Sequence, residues 1–436
     1  MNMKKLVFFV MMFLTLSVSM TMVSCGDDEP VGGQTDSGTG QDGEDVSDDS
    51  LSGNVGLDIN SQKKFIANTA NELMSAISAR DFMSASSLIE YVERISHDNS
   101  VLGTWIDDCM KLCQVSATDD IVKNVYKLSN FYGQFELVNG RWIQTADNVS
   151  YLEFNFTDSI GSPCSLRLEC SGKETAVHHE AFDDEEWRYY YDGDGSYTLY
   201  TRIENTYVIP ERIDVTLNQG GYTVASLEML SKLSLKGGDG EFDYKRDAAE
   251  LTVKASVGGY TWAIDRVAFN AGRSASFSES LKKDGTTLVS LTASAEGDIT
   301  DEANPSGGIT ILDFDIMGRV RIAGSISDIA AFSANLASAE ENDRNENTFK
   351  EYLKKANDGF DLKLYLGGSG ESCAYMQLYP FADYDYYGET WSYEPVIMFS
   401  DGTSYSTFES YFDEFTYSEV IQKFTELVDS FYAIGD

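Results

Sequence analysis

Two periodicities divide the chain. From residue 60, NSQKKFIANTANELMSAI places Phe65, Thr69, Leu73 and Ile77 at steps of four, the spacing that lines up one face of an amphipathic helix. Asp81 stands where an N-cap belongs for a second helix carrying Ala85, Leu88, Val92 and Ile95. Ser100 stands in the same place for a third, with Leu102, Trp105, Cys109 and Leu112 as its stripe. A short fourth helix is expected over Ile121–Leu128. Stripes of this kind are packing surfaces rather than cofactor sites.

Beyond residue 131 the period falls to two. FYGQFELVNGRWIQT sets Asn139-Gly140 between alternating apolar residues, the strongest short-range hairpin signal. YLEFNFTDSIGSPCSLRLEC, IDVTLNQGGYTVASLEML, SFSESLKKDGTTLVSLTA and FDLKLYLGGSGESCAYMQLY repeat the recipe of strand, Gly-containing turn and strand. The tetrapeptide Gly-Gly-Tyr-Thr occurs twice, at 220–223 and 258–261, as an internal duplication or a shared turn recipe would give. Helical spacing returns in SISDIAAFSANLASAEEN and NTFKEYLKKAN, over 327–357. It returns again in TYSEVIQKFTELVDSFY over 417–433, where Val420, Phe424, Leu427 and Phe431 share a face. The pattern predicts an α+β protein: a helical unit at 57–130, then an antiparallel β-meander domain at 131–436 with an inserted helix pair. The C-terminal helix is expected to pack on the sheet, leaving its other side or its ends for contact.

Composition narrows the class. At 42% hydrophobic and 12% aromatic residues, the body of the chain is globular. The formal charge of −39 repels phosphate backbones and excludes nucleic acid as a partner. The exception is the start. Lys4 and Lys5 precede an uncharged run from Leu6 to Ser24, and Cys25 follows it. Nineteen such residues would just span a bilayer core of about 30 Å, so a transmembrane anchor is one reading. The basic start, apolar middle and small residue before the boundary are those of a secretory signal.

Ser24-Cys25 resembles the end of a lipoprotein signal, in which the thiol of the new N-terminal cysteine is alkylated by lipid. Cys25-Gly26-Asp27-Asp28-Glu29 resembles the acidic export tag of surface lipoproteins of the Bacteroidota type. That resemblance covers about thirty residues. It implies a signal peptide at 1–24, lipid attachment at Cys25 and an export tag of Asp27, Asp28 and Glu29. It further implies an address at the cell surface on the outer membrane, with the membrane contacted through the lipid. Removing Lys4 and Lys5 leaves 30 basic against 71 acidic side chains, so acyl chains rather than charge would hold the protein to an anionic bilayer. Residues 25–56 read as a lipidated, acidic, Gly-rich tether. Asp49-Ser50-Leu51 and Asp158-Ser159-Ile160 resemble the short O-glycosylation signal of the same bacterial group.

Candidate chemistry is sparse. His178 and His179 are neighbours on a strand and point to opposite faces. The cysteines after Cys25 are odd in number, which argues against a complete disulfide framework. No cofactor is expected. Two stretches, EEWRYYYDGDGSYTLY (185–200) and YPFADYDYYGETWSYEP (379–395), interleave Tyr and Trp with acids. Aromatic faces flanked by carboxylates suit sugar rings, which makes Tyr384, Tyr386 and Trp391 candidate ligand contacts. Trp391 is expected in a loop, and Tyr384 and Tyr386 on one side of an extended segment. Asp383, Asp385 and Glu394 carry part of a calcium-loop spacing, with Tyr387 where an oxygen donor is usual.

The composite expectation is a surface-anchored protein that binds or interacts, with a glycan or a protein as ligand. The alternatives are a carbohydrate-active hydrolase using a carboxylate pair, and a carrier of an apolar ligand on a curved sheet.

Overall fold

The computed structural model describes residues 58–96, 100–117, 121–182, 188–192, 195–199, 202–298, 308, 310–386, 388–399, 402, 405–412 and 416–432. Cys25, Asp27, Asp28 and Glu29 lie outside them. Helix α1 (Ile59–Ala76) starts at Asp58, whose carboxylate accepts from the Asn60 and Ser61 amides. A 3-10 turn (Ala79–Phe82), α2 (Met83–Ser96) and α3 (Ser100–Cys113) follow. Next come β1 (Gln114–Ala117) and β2 (Ile121–Lys127), so the segment expected as a fourth helix is a strand. Its β-branched Ile121, Val122 and Val125 favour extension, and pairing decides the matter. β2 runs parallel to β9 (Arg202–Gln219), with Asn124 opposite Asn205 and Tyr126 opposite Tyr207. The two amides bond at 3.0 Å and the two rings stack at 5.3 Å.

The remaining strands of the first half are β3 (Gly133–Val138), β4 (Arg141–Ala146), β5 (Tyr151–Thr157), β6 (Pro163–Phe182) and the ribbon β7–β8 (Arg188–Asp192, Gly195–Leu199). A meander follows through β10 (Tyr222–Ser234), β11 (Ala248–Val257), β12 (Tyr260–Asn270), β13 (Ser274–Lys283), β14 (Thr286–Glu296), β15 (Thr310–Ile316) and β16 (Val320–Ile326). The helix pair α4 (Ile329–Glu340) and α5 (Glu346–Asp358) interrupts it. It resumes with β17 (Phe360–Leu366), β18 (Ala374–Asp385), β19 (Gly388–Phe399) and β20 (Tyr405–Thr407), and ends in α6 (Phe408–Tyr411) and α7 (Ser418–Tyr432).

Among the described residues eighteen strands form one sheet. Following the pairings, it runs β4–β3–β5–β6–β9, then from β10 to β20 in chain order. The second edge of β9 is shared, β2 taking its first half and β10 its second. The Asn139-Gly140 and Gly258-Gly259 turns have positive φ at both central residues, as the tight hairpin turns require.

The register gives the sheet two chemically distinct faces. One row of paired residues reads Phe135, Phe154, Leu166, Leu217, Ala225, Val257 and Tyr260. Two residues along the strands, the next reads Leu168, Val215, Leu227, Ala255, Trp262, Leu281, Val289, Ile316, Val320 and Leu366. The opposite face carries Asp214, Glu228, Lys254, Asp313 and Arg321 among serines and threonines, with ion pairs such as Arg321–Asp313 at 2.7 Å. Where β12 bulges opposite β11 and β13, Asp265 and Arg266 share one place in the ladder, and this single extra residue puts Val267 in the apolar phase of its neighbours.

The N-terminal helices cross one end of the apolar face as a strap. Phe65 and Ile66 of α1 pack with Val320, Leu366 and Phe399, whereas Leu73 and Ala76, at its other end, pack with Tyr260 and Leu281. α2 and α3 continue over Phe135, Trp142, Phe156 and Leu217. A polar clamp fixes the strap at mid-sheet. The Tyr260 hydroxyl donates to the Ala76 carbonyl at 2.8 Å, and Lys283 reaches the same carbonyl at 2.9 Å and Asp81 at 3.1 Å. Asp81 therefore serves the clamp; its carboxyl is held below the usual value chiefly by the hydrogen bond from Lys283. The Lys283 charge also suits the C-terminal end of α1. A side chain at Gly258 would meet the Asp81 carbonyl at 2.1 Å, so glycine is needed where the hairpin meets the strap. The C-terminal helix α7 lies against α1, and its Val420 packs on the same core.

Asp247, fully buried, organises the connection from β10 to β11 by accepting from the amides of Lys236 at 2.6 Å and Asp243 at 2.9 Å, and from Arg246. The hydrogen bond from Arg246, followed by those from the two amides, lowers its pKa from 3.8 to about 2. A depressed carboxyl pKa stabilises the fold above the unfolded value, and that contribution is lost as pH falls through the folded value. Asp247→Asn should cost about 1–3 kcal/mol at pH 6. In urea unfolding series its deficit against wild type should shrink between pH 4 and pH 2. A deficit that stays constant with pH would contradict this role.

Candidate functional site

Two regions come into question: the tip of the β18–β19 hairpin and the part of the apolar face that the helices leave uncovered. The hairpin is continuous, Tyr379 pairing with Glu394, Ala382 with Trp391 and Asp385 with Gly388. Trp391 is therefore not in a loop. It sits in mid-strand on the apolar face, half-buried under α5, its ring 6.4 Å from that of Phe349 and with the Lys350 ammonium 4.0 Å above it. Its amide donates to the Asp343 carbonyl at 2.7 Å. The density of acids and glycine around Trp391 is that of a loop, whereas the β18–β19 ladder is unbroken from Ala374–Phe399 to Asp385–Gly388 and carries both strands to the turn. Tyr384 and Tyr386 are 75% and 95% exposed. Tyr384 still follows the strand alternation, its hydroxyl donating to Glu389 at 3.4 Å, while Tyr386 belongs to the turn.

The hairpin also separates the calcium-loop candidates. Asp383 pairs with Thr390, and Glu394 lies four residues further along β19, about 13 Å by strand rise. Among the described residues no cluster of three or more His, Cys, Asp or Glu is grouped to hold a metal. The other aromatic stretch forms the β7–β8 ribbon, Tyr190 opposite Tyr197.

Among the described residues neither histidines nor thiols form a nucleophilic centre. His178 bonds Thr206 through Nδ1 at 2.8 Å, and its amide donates to the Gly240 carbonyl at 2.9 Å. The five described cysteines are unpaired. Burial pushes the thiols of Cys109, Cys164 and Cys170 up, and that of Cys373 to about 11, which keeps them protonated and unreactive. On the polar face a shallow depression of about 180 Å³ is lined by Asp214, Thr216, Ser226, Glu228, Lys254 and Ser256. Arg212 binds both Asp214 and Glu228 there, so these carboxylates form a surface ion-pair ladder.

The apolar face offers more. Past the strap, three further rows run across β10–β15. Their side chains include Val253, Val267, Phe269, Phe277, Leu291 and Phe314, on the same face as the core by register. All are half-buried or exposed, Phe269 at 47%, and among the described residues none joins a buried cluster. The helix pair α4–α5 covers the corresponding part of the neighbouring strands, packing on Leu378, Trp391 and Tyr393. Six strands spaced about 4.8 Å and four residues of strand rise give a patch on the order of 300 Å². A contiguous patch of that size on a monomer is often functional.

One charged group interrupts it. In SASFSESLKK, Glu279 occupies the apolar phase between Phe277 and Leu281, with Ile264 and Leu291 opposite. Its residue is 8% exposed, and its carboxylate accepts a short hydrogen bond from the Trp262 indole. The sequence signal was available, since a charge replaces an apolar residue in an otherwise regular alternation.

No family model, curated protein or solved structure matches this chain. Among the described residues no helix is long and apolar enough to cross a membrane.

If Trp391 is a packing residue, Trp391→Ala should destabilise the fold by about 3–5 kcal/mol. Tyr384→Ala and Tyr386→Ala should stay within about 0.5 kcal/mol of wild type. Chemical denaturation of the three variants checks this, and a Trp391 variant as stable as wild type would return that residue to the surface.

Proposed function

We propose that this protein is a lipid-anchored binding protein of the cell surface, and that its binding element is the uncovered apolar face of β10–β15. The observation that supports this reading is the difference in cover along a single face. The same register that buries Leu281 and Tyr260 under the strap leaves Phe277 and Phe269 without a helix among the described residues. A water-exposed apolar strip of this width is unfavourable at about 25 cal/mol per Å², and an apolar ligand removes that cost. Anchoring through acyl chains on Cys25 would hold the strip beside a membrane without inserting it.

Contact with glycans through the hairpin tip is a second reading, favoured by the exposure of Tyr384 and Tyr386. Trp391 no longer belongs to it. On a glycan array, Tyr384→Ala and Tyr386→Ala together should abolish any sugar signal; a signal surviving both changes would remove the tip from consideration.

For the principal reading, the full chain should bind the neutral apolar dye Nile red with a blue shift in detergent-free buffer. Phe277→Asp should abolish this binding. Ser276→Asp, one residue away on the polar face, should not. Equal binding by both variants would contradict the assignment. For the anchor, Cys25→Ala should move the protein out of the membrane fraction; retention there would favour a transmembrane segment at Leu6–Ser24.

A further inference from the structure

The apolar strip contains a clue to the head of its ligand. A carboxylate removed from water is unfavourable unless it meets a positive charge or several donors. Among the described residues the one hydrogen bond to the Glu279 carboxylate comes from the Trp262 indole, and no ion pair reaches it. Its neighbours on the face are Ile264, Leu291, Phe277 and Leu281. Other acids of the sheet centre are placed differently: Asp214, Glu228 and Asp313 lie on the polar face and are paired to arginines. Glu279 thus stands at the inner end of the strip, where the strap begins, with unspent acceptor capacity and an indole ring beside it.

We infer that the strip takes the hydrocarbon chain of a cationic amphiphile, whose ammonium head ends at Glu279 and Trp262. This rests on the apolar-ligand reading proposed above and names its ligand class. The carboxylate supplies the counter-charge, and the indole face favours a cation as well. From Glu279 the chain runs outward along β13 past Phe277 to the row of Ala275 and Phe269, about 13 Å by strand rise. Net charge acts in the same direction. With 71 acidic against 32 basic side chains, the protein repels anionic amphiphiles and a second copy of itself, and attracts a cationic one.

Calorimetry with three twelve-carbon probes, each below its micelle concentration, tests this on the full chain. Dodecylammonium should bind at least tenfold more tightly than dodecanol, and dodecanoate more weakly than either. Glu279→Gln, which retains an acceptor for the indole, should bring dodecylammonium down to the level of dodecanol while leaving dodecanol within about twofold. Glu250→Gln, an acid on the polar face paired with Arg266, controls for net charge and should keep the full preference. A preference that survives Glu279→Gln, or one equally lost in Glu250→Gln, overturns the assignment of the head to Glu279. Equal binding of all three probes overturns it too but leaves the apolar-ligand reading standing. Absence of binding by any probe overturns both. A concentration-dependent dimer dissolved by Phe277→Asp would assign the strip to a second copy and likewise overturn the proposal.

Discussion

Among the described residues the eighteen-stranded sheet has more apolar face than the helices cover, and this shortage shapes the molecule. The strap of α1 to α3 crosses the strands at one end, and α4–α5 cover the far end of β17–β19. What lies between, on β10–β15, is a single layer whose apolar side has no helical partner among the described residues. The placement of the strap depends on the clamp at its midpoint, where Tyr260, Lys283 and Asp81 join the end of α1 to the β11–β12 and β13–β14 hairpins. Gly258 permits that approach by having no side chain to meet the Asp81 carbonyl. Shifting the strap along the strands would cover a different set of rows, so the boundary between core and open strip is drawn at this clamp.

A single-layer sheet must hold itself together by pairing within the layer. Here β10 to β14 make long antiparallel ladders in which nearly every residue has an opposite number. Cross-strand pairs stabilise such a layer from both sides. On the polar side, ion pairs such as Arg266–Glu250 and Arg321–Asp313 add to it, each of them partly exposed and therefore modest. The acidic surface opposes face-to-face stacking of two strips, the usual hazard of an exposed apolar sheet.

Much of the architecture was legible in the sequence, because turn chemistry and alternation are local signals. Asn139-Gly140, the two Gly-Gly turns and Asp284-Gly285 mark hairpins unaided, and the helix pair at 327–357 shows its period plainly. Two readings failed where long-range partners decide. Ile121–Lys127 is drawn into the sheet by β9, about eighty residues away, through the Asn124–Asn205 and Tyr126–Tyr207 pairs. Trp391 is claimed by α5, which its own neighbours in sequence do not announce. The candidate site was half legible. Glu279 breaks the alternation visibly, but an alternating strand looks the same whether or not a helix lies over it.

The central claim is that the apolar face of β10–β15 is open in the free protein and is the face that takes an apolar ligand. Thiol labelling measures this directly. Ala293→Cys places a probe on the open strip, and Thr292→Cys places one on the polar face beside it. The account predicts that position 293 reacts with a small maleimide at a rate close to that of 292, far above buried Cys373, and that an apolar ligand slows 293 alone. A position 293 as slow as Cys373 without ligand would mean that the face is already covered, and would contradict the account.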